Sequence, residues 1–125
     1  MSSDPDLAAF VREHLRSVWA LELLLVLRRD RERGWTAAEL VRELRASTGL
    51  VNDNLVRFER SGLVARDDEG RFRYRPAAAV LGALCDRLET AYRQRPVAIV
   101  NLIAAPRDAL QSLADAFRFR REDGE

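Results

Sequence analysis

This sequence predicts a mainly α-helical protein with one small β-hairpin, and three observations carry that prediction. Apolar residues recur at helical spacing along most of the chain, Ser, Thr, Asp and Pro stand where helices would begin, and one polar, Gly-ending turn separates two short alternating runs. With 125 residues, 47% of them apolar, the chain can fill one hydrophobic core, so one domain with short terminal extensions is expected.

The first helix opens at Asp4-Pro5-Asp6, a cap, a proline and an acid in succession, and Leu7, Phe10, Val11 and Leu15 follow on one face. Ser17 caps the next, Val18 to about Arg29, which is apolar on nearly every side except Glu22 and the basic end. Such a helix belongs at the centre of the core. Gly34 breaks the chain, and Trp19 and Trp35 are expected in the core.

Thr36 followed three residues later by Glu39 is a capping box, opening a helix to about Ala46 with Ala37, Leu40, Val41 and Leu44 inward. Ser47 or Thr48 caps another, in which Val51, Leu55 and Phe58 share a face, and Gly62 fits a left-handed C-cap. Two capped helices separated by a few residues make a helix-turn-helix. The turn Asp67-Asp68-Glu69-Gly70 then joins Leu63–Arg66 to Arg71–Arg75 as a hairpin. Strand alternation puts Phe72 and Tyr74 on one face and Arg71, Arg73 and Arg75 on the other.

After Pro76, Val80, Leu81, Leu84, Leu88 and Tyr92 mark a helix to about Gln94. Pro96 restarts a short apolar one, and Pro106 begins the last, with Leu110, Leu113 and Phe117 on a stripe and Arg118, Arg120 and Arg121 at its end. The chain divides into an N-terminal helix (1–16), the helix-turn-helix with its hairpin (17–76), C-terminal helices (77–121) and a frayed tail (122–125).

Composition narrows the chemistry. A lone histidine, His14, and a lone cysteine, Cys85, supply neither a zinc cluster nor a triad base, and no Gly-rich phosphate loop or paired-carboxylate pocket is visible. No enzyme activity, cofactor or metal is therefore expected, and Cys85, on an apolar helical stretch, is expected to be a buried structural thiol. The N-terminal residues lack a basic and apolar leader, and the longest apolar stretch, Val18 to Leu27, is about half a membrane crossing, so a cytoplasmic location without membrane insertion is expected. All 21 basic residues are Arg, yet the formal net charge is only +1, so any case for nucleic acid rests on where the charges sit.

From Ser17 to Tyr74 the chain resembles the winged helix-turn-helix domains of MarR-like and ArsR-like bacterial transcriptional regulators. The residues that carry the likeness are Trp35-Thr36-Ala37-Ala38-Glu39-Leu40, Leu55, Phe58-Glu59-Arg60-Ser61-Gly62-Leu63-Val64, and Arg66 through the Gly70 turn to Arg71-Phe72-Arg73-Tyr74. The resemblance implies a recognition helix (about 48–61) in the major groove of double-stranded DNA, a wing (63–75) on the adjacent backbone or minor groove, and a homodimer built by helices outside the wing.

With Val51, Leu55 and Phe58 inward, helical rotation leaves Gly49, Asp53, Val56, Arg57 and Arg60 outward and Asn52 on the flank. The expected DNA-contacting residues are Thr48, Asn52, Asp53, Arg57, Arg66, Arg71, Arg73 and Arg75. Asn52 suits adenine, and Arg57 suits guanine or phosphate. Asp53 is discordant, since an acid repels phosphate unless it accepts from a cytosine amine or orients Arg57 four residues on. Asp53, Val56 and the near-neutral charge motivate the alternative, a winged-helix protein-interaction module that regulates a partner protein. The apolar C-terminal helices either dimerise, which is the favoured expectation, or fold back on the central helix.

Overall fold

Seven buried positions of one helix, interrupted only by Glu22, decide how this chain packs. In the computed structural model, which describes residues 4–104, Ala20, Leu21 and the run Leu23–Leu27 are all buried, and the next two helices and the hairpin pack against their helix. Among the described residues the order is α1 (Pro5–His14), α2 (Val18–Arg29), α3 (Ala37–Leu44), α4 (Thr48–Ser61), β1 (Val64–Arg66), β2 (Phe72–Tyr74), α5 (Ala79–Gln94) and α6 (Pro96–Ala104). The fold is mainly helical with one two-stranded antiparallel sheet. The helix expected from Pro106, with Leu110, Leu113 and Phe117, and the 122–125 tail lie outside the described residues.

The helices begin where short polar side chains can satisfy their first N–H groups. Asp4 accepts from the Leu7 N–H at 3.2 Å, and Ser17 from Ala20 at 3.1 Å. Thr36 and Glu39 form the reciprocal capping box, at 3.1 and 3.0 Å. Ser47, rather than Thr48, caps α4 by accepting from Leu50 at 3.1 Å, which leaves Thr48 as the first helical residue.

Helix α3 stops earlier than its apolar pattern suggests. Arg45 adopts a left-handed conformation with φ of 55°, and the Ala46 N–H turns back to the Val41 carbonyl at 3.3 Å. That closure lets α4 start within three residues and pack against α3.

Gly62 ends α4 with φ of 81°, a conformation that glycine enters without steric cost. It also positions the hairpin, because the Leu63 N–H bonds to the Phe58 carbonyl at 2.9 Å and the Gly62 carbonyl accepts from Ala77 at 2.7 Å. A Cβ here would lie 3.1 Å from that of Ala77. Gly62→Ala is therefore expected to cost about 1 kcal/mol or more, read as a lower urea midpoint at unchanged m-value.

One buried cluster runs from Leu7 of α1 to Ile99 of α6 and takes in Val51, Leu55 and Phe58, the inward face assigned to α4. Asn54 is the one buried polar side chain among the described residues, and it donates to the Leu50 carbonyl at 2.9 Å. Trp35 is buried as expected, but Trp19 is 46% exposed. Its neighbour one turn on is Glu22, so Trp19 stands on the polar side of α2, where residue type misled and helical position would not have.

Helices α5 and α6 pack on α1 within the same chain. Cys85 and Leu88 enter the core, and polar clasps fix the outside of α5: Arg28 binds Asp86 at 2.5 Å and also Glu89, Tyr92 donates to Glu22 at 3.0 Å, and Arg87 meets Asp4 at 2.9 Å. Folding back thus accounts for much of the apolar surface of these helices, while Val80 and Val97 remain 64% and 70% exposed. No helix among the described residues is long and apolar enough to cross a membrane.

Candidate nucleic-acid interface

Helix α4 has two unlike sides. Val51, Leu55 and Phe58 are buried, whereas Thr48, Gly49, Asn52, Asp53, Val56 and Arg60 are exposed. The side chains of Asn52 and Asp53 make no hydrogen bond or ion pair among the described residues, and Asp53 does not pair with Arg57. The exposed positions extend from the first turn onward, so backbone N–H groups and short polar side chains are presented together.

Arg57 departs from the outward position expected of it. It is half-buried, its Nε lies buried without a partner, and its carbonyl accepts from the Ser61 hydroxyl at 2.8 Å. Helix α1 packs against α4 and sets His14 Nδ1 3.1 Å from the Ser61 hydroxyl oxygen, one turn from Arg57. Burial, opposed by neighbouring Glu13, lowers the His14 pKa.

The hairpin pairs Val64 with Tyr74, Ala65 with Arg73 and Arg66 with Phe72. Trp35 extends it on the other edge, exchanging two backbone hydrogen bonds with Phe72 at 2.8 Å each. This third, single-residue strand binds the hairpin to the chain entering α3. No strand pattern surrounds Trp35 in the sequence, so periodicity could not announce it. Gly34, read as a chain breaker, has a second role: a Cβ there would meet Asp67 Oδ2 at 2.7 Å and Arg71 Cβ at 2.9 Å. The α2–α3 loop can touch the hairpin only because that side chain is missing.

The four candidate arginines of the hairpin divide into different environments. Arg71 reaches toward α3 and lies 3.6 Å from both Glu39 and Glu69. Arg73 binds Asp67 at 3.0 Å and also donates to the Glu32 carbonyl. Arg66 pairs with Glu59 at 3.1 Å while its guanidinium lies over the Phe72 ring, 4.8 Å from the centroid. Arg75 is exposed and makes no ion pair among the described residues. Arg66, Arg73 and Arg75 share one shallow concavity of about 270 Å³ with Asp67 and Asp68, so these cations converge but three hairpin arginines already have carboxylate partners.

The α2–α3 loop adds two arginines that pattern reading did not single out. Arg33 stacks on Trp35 with its guanidinium 3.5 Å from the ring centroid, and Arg31 lies 5.5 Å from that of Tyr74. A sequence signal existed, a basic loop next to aromatic-bearing segments, but the pairing depends on the Trp35–Phe72 bridge.

Asp67 holds the hairpin together. Its Oδ1 accepts from the Glu69 and Arg71 N–H groups, each at 2.9 Å, and its Oδ2 binds Arg73. The Arg71 N–H bond and then Arg73 hold its carboxyl below the usual aspartate range, against an opposing desolvation. Glu39 is likewise lowered, first by the Thr36 N–H and then by Arg33 and Arg71. Because both folded pKa values are depressed, their stabilising effect is fully present above the unfolded carboxylate values, near 4, and is lost as pH falls through the folded ones. Thermal midpoints measured across pH should fall below about pH 4, and Asp67→Asn should make that fall shallower.

Beneath the hairpin, burial pushes the Cys85 thiol up, and burial together with that thiol raises Tyr74. Cys85 is fully buried and so is suited to packing rather than to thiolate chemistry. Searches of protein-family models and of curated proteins find no match to this chain.

Proposed function

We propose that α2–α4 and the β1–β2 hairpin form a winged helix-turn-helix, and that the protein is a DNA-binding transcriptional regulator acting as a homodimer. Helix α4 serves as the recognition helix and the hairpin as the wing. The observation that carries this reading is the exposed side of α4: Thr48, Gly49, Asn52 and Asp53 are all solvent-facing on a helix whose opposite side is fixed in the core. A rigid helix with an unengaged polar face can enter a major groove about 12 Å wide without rearrangement. Arg75, with the adjoining Arg66 and Arg73, supplies the flanking phosphate contact.

The experiment is a salt titration of binding to duplexes from upstream of the protein's own operon. Log affinity should fall steeply and linearly with log salt, and Arg75→Ala, which removes the exposed wing arginine without a carboxylate partner among the described residues, should flatten the slope by roughly one. No binding at low salt overturns the proposal.

A specific observation favours a second reading, in which the same face binds a protein. Arg66, Arg71 and Arg73 are paired with carboxylates of the chain itself, and Val56 is 41% exposed beside Asp53. A stoichiometric protein partner that is retained when the wing arginines are removed would select this reading over DNA.

A further inference from the structure

Helices α1, α5 and α6 enclose an open groove of about 560 Å³, away from the α4 face. Its apolar lining comes from Leu7 and Ala8 of α1, Ala91 of α5, and Ala98, Ile99 and Leu102 of α6. Three of those six are alanines, which leave room for another helix to approach closely. The ion pair between Arg87 and Asp4 lies along its rim.

We propose that this groove is the docking site of the chain's own residues 106–118. Two observations select that occupant over any other. First, α6 is itself one wall of the groove and is described as far as Ala104, so the segment that begins at Pro106 is joined to that wall by a single residue. Pro106 disfavours continuation of α6 in the same direction, since it has no N–H to donate and restricts Ala105. Second, the sequence beyond it carries Leu110, Leu113 and Phe117 at spacings of three and four, one apolar stripe between polar positions. Thirteen helical residues span about 20 Å, close to the roughly 24 Å of the sixteen-residue α5 against which they would lie. Docking would set the three large side chains over the alanines and leave Arg120 and Arg121 beyond the groove. The arrangement is independent of DNA binding by α4.

The test uses the full chain with Phe117→p-benzoylphenylalanine, irradiated and analysed by electrophoresis and peptide mass spectrometry. A product of monomer size, crosslinked to groove residues of α1, α5 or α6, is the expected result. A product of dimer size means that a second copy supplies the contact, and it overturns the proposal, as does a crosslink outside the groove or none. Leu113→Ser combined with Phe117→Ser gives an independent measurement: helical circular dichroism of α1–α6 should persist while an apolar fluorescent dye gains a binding site. Dye binding equal to that of the parent protein also overturns it.

Discussion

Phe58→Ala is expected to lower the stability of this protein by about 3–5 kcal/mol, a large share of the roughly 5–15 kcal/mol available to a domain of this kind. Phe58 is fully buried and is among the largest such side chains among the described residues. It lies on the face of α4 that packs into the common core, and its carbonyl accepts the Leu63 N–H that begins the hairpin. The cavity therefore opens in the common core on the inward face of α4, which packs against α2 and β1. Urea unfolding followed by circular dichroism should show the midpoint falling sharply. Val56→Ala, two residues away but exposed, should stay within about 0.5 kcal/mol of the parent. A small effect at Phe58 equal to that at Val56 would mean that α4 does not pack by the face described.

The helical scaffold was legible because its signals are local. Caps at Asp4, Ser17 and Thr36 and the 3.6-residue spacing of Leu and Val report on one turn of chain at a time, and the structure places helices where those signals stand. The exposed side of α4 was legible for the same reason, given an inward face of Val51, Leu55 and Phe58. Contacts between elements were not. The Arg71–Glu39 and Arg66–Glu59 pairs, the Trp35–Phe72 bridge and the packing of α1 on α4 that brings His14 to Ser61 depend on distances between segments far apart in sequence, or on the way α4 enters the hairpin. Alternation correctly separated aromatic from basic positions in β2, but it carries no information on whether a cation so placed finds a carboxylate. The consequence falls on the site: a row of arginines that reads as an open phosphate-binding edge is, in the folded chain, mostly an internally paired one.

On the proposed DNA-binding reading, two adjacent substitutions on α4 are expected to move affinity in opposite directions. Asn52 is exposed and its amide is uncommitted among the described residues, so it can donate and accept at one adenine edge. Asn52→Ala should weaken binding to the specific duplex by about 1–3 kcal/mol, roughly 5- to 150-fold, with little change on non-specific DNA. Asp53 has no cationic partner among the described residues to offset its charge, and Arg57, four residues on, is half-buried and does not pair with it. Asp53→Asn removes a repulsion with phosphate and should tighten binding to both duplexes by roughly 1 kcal/mol at low salt, less at high salt. Both residues are exposed, so neither change should alter the unfolding midpoint, and fluorescence anisotropy on matched specific and scrambled duplexes separates the two effects. If the exposed face of α4 instead docks a protein, the pattern differs: Asn52→Ala leaves DNA unaffected, and loss of the Asp53 charge weakens the partner. The sign of the Asp53 effect therefore decides between the two readings at the position where they most directly conflict.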